Sequence, residues 1–87
     1  MSTEREAARG IRAKALLDDE LMREAFQALE EAYTDEWKRT ADAEGAKRDR
    51  LWIRLKLLHE VKAHLLIVAE DGKIAAREIE KRGLLRR

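Results

Sequence analysis

The chain has no cysteine and no proline, and its 87 residues include only four glycines and four aromatic side chains. Without cysteine there can be no disulfide and no thiolate metal site, which fits a reducing compartment. Without proline nothing forces a helix to stop. The longest uncharged apolar run, residues 65–69, is far too short to span a bilayer, and the opening "MSTEREAARG" lacks the apolar stretch of a signal peptide. The expectation is a soluble, cytoplasmic chain with no membrane contact. A glycine-rich phosphate loop is also missing, and the only hydroxyl nucleophiles are Ser2, Thr3, Thr34 and Thr40, none beside a suggestive base. Glu30-Glu31 and Asp35-Glu36 are adjacent pairs, so their carboxylates diverge around a helix and read as a solvated face. These absences argue against an enzyme, a cofactor or a small-molecule substrate.

What the chain does have is charge and aliphatic surface: 43% charged residues and 45% hydrophobic ones, rich in Ala and Leu. That is the composition of long helices or coiled coils, and it makes β-structure improbable. Net charge is only +1, but it is unevenly spread. Residues 18–36 carry eight acidic groups against one basic, whereas residues 37–64 carry eight basic against four acidic. An acidic segment followed by a basic one is self-complementary when folded back. A chain of this length buries a limited core alone, so oligomerisation is the expected remedy.

The pattern predicts one all-α domain over residues 1–87: an antiparallel helical hairpin with short flanking helices, assembled into an oligomeric helical bundle. Residues 1–17 read as a marginal N-terminal helix, opened by the capping-box pattern Thr3-x-x-Glu6 and weakened by Gly10. Asp18 is the expected cap of a first main helix over 18–41, with Leu17 and Met22 as its staple. Residues 42–46 form the loop, with Gly45 as its hinge, and a second main helix follows over 47–71. Asp71-Gly72 is expected to end it, leaving a short helix over 73–82 with Ile74, Ala75 and Ile79, and a basic tail over 83–87.

On a helical wheel the first main helix carries Met22, Phe26, Leu29, Tyr33 and Trp37 along one edge and Leu21, Ala25, Ala28 and Ala32 along the other. The second carries Leu51, Trp52, Leu55, Leu57, Leu58, Val61, Leu65, Leu66 and Val68 over an arc of roughly 220°, more than a lone hairpin can cover. Core and oligomer contacts are therefore assigned to Leu21, Ala25, Phe26, Ala28, Leu29, Ala32, Tyr33, Trp37, Leu51, Trp52, Leu55, Leu58, Val61, Leu65 and Val68. Phe26, Leu29, Tyr33 and Trp37 are expected to face Leu51, Leu55, Leu58 and Leu65.

"HEVKAH" superficially resembles the zinc motif HExxH, which needs two histidines four apart on one helical face. His59 and His64 are five apart, so at 100° per residue they diverge by ~140° and cannot share one ion without unwinding the helix. A metal site is not expected. More suggestive are Lys38 and Arg39, which end the first main helix, and Lys47, Arg48 and Arg50, which begin the second. Together they bring five basic groups to one end of the hairpin beside Trp37 and Trp52, an arrangement able to meet DNA phosphates and stack on bases. Arg82, Leu84, Leu85, Arg86 and Arg87 form a tail suited to an acidic partner.

The stretches "LLDDELMREAFQALEEAYTDEWKRT" and "RDRLWIRLKLLHEVKAHLL" resemble short helical proteins of tailed phages and prophages, in particular the small terminase subunit. The resemblance covers roughly residues 15–70 and is one of pattern. It implies a ring-forming hairpin that recognises double-stranded viral DNA in the host cytoplasm and presents it to a large terminase subunit, with Lys47, Arg48 and Arg50 toward DNA and the carboxyl-terminal segment toward the motor. The chain departs from many such subunits in leaving no room for a separate helix-turn-helix. The alternative is a phage structural or regulatory adaptor that binds protein through its apolar helix face and does not touch DNA.

Overall fold

A computed structural model describes residues 3–85 and consists, over those residues, of three helices and no strand: α1 (Thr3–Asp18), α2 (Glu20–Lys38) and α3 (Gly45–Leu85). α3 is the spine. Its 41 residues span about 61 Å at 1.5 Å each, nearly the full 68 Å of the molecule. α2 lies along the first half of α3 and α1 along the second, both running opposite to it. His59 meets Glu30, Arg54 lies over Tyr33 and Arg48 over Trp37, while Gly72 meets Gly10, so numbers fall along the spine as they rise along its partners. The other two dimensions are 23 and 15 Å, a single layer two helices wide. The radius of gyration is 19.0 Å, against about 12 Å for a compact chain of this length.

The spine's inner row explains the pairing. Leu51, Leu55, Leu58, Leu65, Ala69, Gly72 and Ile79 lie on one seam at steps of four and three, with exposed Lys62 completing the period in the middle and buried Ala75 rather than exposed Ala76 near the end. Large side chains occupy the first half of this row and small ones the second. Accordingly α1 packs closely, with Ala13 at 3% exposure and Ala75 at 2%, and α2 packs loosely, with no buried residue of its own.

Three expectations are corrected here. Residues 3–18 form a full helix and make the closest packing in the molecule, so Gly10 is not a weak point. A Cβ added at Gly10 would stand 2.5 Å from the Gly72 Cα, and one added at Gly72 would stand 2.5 Å from the Gly10 Cα. Backbone meets backbone there, and only glycine on both helices permits it. For the same reason α3 does not end at Asp71-Gly72 and no separate helix over 73–82 exists. The helix-propensity cost of glycine, about 1 kcal/mol, is outweighed by the contact it allows. Finally, Gly45 is the first residue of α3 rather than a left-handed hinge, and no glycine in the described chain has positive φ.

The break between α1 and α2 falls one residue later than expected. Asp19, with extended backbone (φ −64°, ψ 126°), is the N-cap, its Oδ1 accepting from the Met22 N–H at 2.9 Å. Asp18 stays helical and receives the Lys14 ammonium at 2.7 Å. At the other end Arg39 closes α2, and Glu44 reaches back to accept from the Ala41 N–H at 2.9 Å while its carbonyl accepts from the Arg48 N–H.

Candidate functional site

Of the residues assigned to core and oligomer contacts, Leu51 is buried at 2% exposure, and Phe26, Tyr33, Leu55, Leu58, Leu65 and Val68 are half-buried. The facing pairs expected between α2 and α3 are thus only partly formed, since Leu29 and Trp37 remain exposed. Leu21, Ala25, Ala28, Ala32, Trp52 and Val61 are exposed as well. Within one chain these are surface, not core. A single layer has no second layer to cover them.

The most extensive uncovered surface lies on the back of α3. Ile53, Leu57, Glu60, His64, Ile67, Asp71 and Ile74 also follow steps of four and three, and their row lies roughly opposite the inner one. Its four aliphatic members are each about half exposed, Ile67 most of all at 58%, and Val61 beside them is equally open. On α2, Leu21, Ala25, Ala28 and Ala32 form a shorter row of the same period, with Leu21 at 74% exposure. Total accessible surface is 7148 Å², whereas a compact monomer of 10.1 kDa would show about 5,300 Å². The excess is roughly twice the ~800 Å² that each partner contributes to a standard protein interface.

The basic loop end divides in two. Arg48 is committed to the fold: its guanidinium carbon lies 4.1 Å from the centre of the Trp37 ring, and one of its nitrogens donates to the Thr40 hydroxyl at 2.9 Å. It clamps the end of α2 to the start of α3 across the loop, and is half-buried in doing so. Arg39 folds back to donate from Nε to the Asp35 carbonyl at 3.2 Å. Lys38, Arg39, Lys47 and Arg50 are exposed. Trp37 is covered on one face by Arg48, and Trp52 has the Lys56 ammonium over its ring at 5.2 Å.

His59 places Nε2 3.4 Å from a Glu30 carboxylate oxygen, a link between α3 and α2, whereas His64 borders a groove with Arg9, Arg12 and Leu16 at the α1 side. Their divergence follows from the five-residue spacing. Among the described residues there is no cluster of three or more His, Asp or Glu side chains able to hold a metal ion, and no helix is long and apolar enough to cross a membrane. Arg82 and Leu84 are exposed on the last turns of α3, while Arg86 and Arg87 and the side chain of Leu85 lie outside the described residues, as does Ser2. Asp18 is held below the usual carboxylate range first by its hydrogen bond from Lys14, then by the Lys14 charge and, less, by that of Arg23, against an opposing desolvation.

Sequence reasoning missed the Gly10–Gly72 contact. Its signal was present as small residues at helical spacing on both strands of the contact, Gly10 and Ala13 on one side and Ala69, Gly72 and Ala75 on the other. No family model, curated protein or solved structure matches the chain, so the small-terminase resemblance rests on its pattern of residues alone.

Proposed function

We propose that this chain is a non-enzymatic helical association module whose working form is a homo-oligomeric bundle, in the manner of a structural or regulatory adaptor in the cytoplasm. The observation that carries this reading is the single-layer shape with a second apolar row on the back of α3. A row of Ile53, Leu57, Ile67 and Ile74 at coiled-coil spacing, interrupted by Glu60, His64 and Asp71, is what one helix presents to another. The hairpin is then half of a bundle. Light scattering on purified protein at tens of micromolar should report more than one chain per particle. A monodisperse monomer at that concentration would overturn the reading.

A second reading, recognition of double-stranded DNA for delivery to a large terminase subunit, is favoured by the exposed Lys38, Arg39, Lys47 and Arg50 at the loop end. Repetition around an oligomer would multiply a modest local charge. Arg48 contributes less than its sequence position suggests, because it is stacked on Trp37. Duplex affinity should fall steeply with salt, and Lys47→Ala with Arg50→Ala should reduce both affinity and salt slope. Indifference to DNA at low salt leaves the adaptor reading in sole possession.

A further inference from the structure

We propose that two copies of this chain join back to back through the outer row of α3, antiparallel, about an axis near Ala63; this rests on the homo-oligomer reading and specifies its surface, direction and register. The row runs Ile53, Leu57, Glu60, His64, Ile67, Asp71, Ile74; each aliphatic member is exposed, while His64 and Asp71 lie on the edge nearer α1, bordering grooves shared with its Arg9. In heptad terms these residues are the alternating core positions, and the residues flanking the row on one side are Asp49, Lys56, Ala63, Glu70 and Arg77, seven apart. Their charges read minus, plus, neutral, minus, plus.

That order is complementary to its own reversal. When a second α3 runs antiparallel about Ala63, Lys56 faces Glu70 of the partner subunit, Asp49 faces Arg77 of the partner subunit, and Ala63 meets its own copy. Two-fold symmetry repeats each ion pair, and no like charges meet along this edge. The core layers agree with the same register. Leu57 packs against the partner's Ile67, and Glu60 meets the partner's His64, a polar layer of the kind that fixes register in coiled coils. Ile53 faces the partner's Asp71, and at the outer ends of the seam Ile74 faces the partner's Arg50, both charged groups reaching water. Shifting by one heptad sets Glu60 against the partner's Asp71 in one direction and Asp49 against the partner's Glu70 in the other, so the electrostatics select the first register. In the single chain Lys56 only overhangs the exposed Trp52, and Glu70 only pairs with the exposed Lys73 at 3.1 Å, contacts too weak to hold either charge from a partner.

The test uses the full chain. Lys56→Cys and Glu70→Cys are made separately, mixed, and treated with a short bis-maleimide, while light scattering records particle mass. The expected result is efficient joining of position 56 to position 70, with little joining of either position to itself, because like positions lie about 20 Å apart in the antiparallel pair. In parallel, Lys56→Glu should weaken association about tenfold at low salt, and Lys56→Glu with Glu70→Lys should restore it. Circular dichroism of each variant should match that of the unaltered chain, since both positions are exposed. Oligomers that join 56 to 56, or that ignore the charge reversal, overturn this seam and leave the association reading standing. A monomer at all concentrations overturns both.

Discussion

The two halves of the spine do opposite things with their partners. Along its second half α3 meets α1 through glycine and alanine, the backbones touch, and Gly10, Ala13, Ala69, Gly72 and Ala75 are buried. Along its first half α3 meets α2 through Leu, Phe, Tyr and Trp, yet only Leu51 is buried. Larger side chains have given less burial. They hold the helix axes apart, and in a layer one helix deep each bulky group keeps a flank in water. The closely packed half is sealed on its inner side and leaves its back open at Ile67 and Ile74, whereas the open half has apolar surface left on both sides of the pair.

The one large side chain sealed in the open half gives the largest expected effect. Leu51 lies one turn beyond Arg48, where the clamp on Trp37 and the Thr40 hydroxyl closes the end of the pair. Leu51→Ala should cost about 3 kcal/mol through lost burial and the cavity left behind. Leu57→Ala, on the outer row, should change the folding stability of the single chain by less than about 0.5 kcal/mol, while weakening self-association. Chemical denaturation across a concentration series separates the two. Equal destabilisation by both changes would mean that the inner and outer rows of α3 do not differ as described.

The closely packed half can be broken with a methyl group. Gly72→Ala gains about 1 kcal/mol of helix propensity but sets a Cβ against the Gly10 backbone, so α1 must lift away, and the expected net loss is about 2 kcal/mol. Gly83→Ala, on the same helix with nothing within 4 Å, should instead stabilise by up to about 1 kcal/mol. Hydrogen exchange should localise the first effect to α1 and the facing half of α3. A stabilising effect of Gly72→Ala, like that expected of Gly83→Ala, would show that the contact contributes nothing.

These glycines also mark what the sequence could and could not reveal. All-helical structure and a loop between two main helices follow from periodicity and the absence of proline, because those signals are local. The first main helix nonetheless stops at Lys38 rather than at residue 41, and the loop is residues 39–44 rather than 42–46. The merger of two expected helices into α3 does not follow from those signals. Asp71-Gly72 carries a stop signal by local chemistry, and it is overridden by a contact 62 residues away in sequence, with Gly10. The basic loop end shows the same limit: Lys38, Arg39, Lys47, Arg48 and Arg50 are alike as letters, but only Arg48 has Trp37 and Thr40 within reach. The surplus apolar arc of α3 was legible, since a helix with two rows at the 3.5-residue period needs two neighbours.

The smallest effect tests the joint between the halves. Asp18 ends α1, where a carboxylate faces the negative end of the helix dipole, an unfavourable place for a charge. It is nonetheless held below its ordinary value of 3.8, first by the hydrogen bond from Lys14 and then by the Lys14 and Arg23 charges. Because the folded value lies below the unfolded one, the contribution is fully present above pH 3.8 and is lost as pH falls through the lower folded value. Both side chains are well exposed, so salt should weaken the pair and the effect on melting should be slight. Carboxyl titration by NMR should therefore find Asp18 below 3.8 at low salt, rising toward it with added salt and in Lys14→Met. Were Lys14→Met to leave the titration unmoved, the last turn of α1 would owe its shape to the Asp19 cap and the neighbouring packing alone.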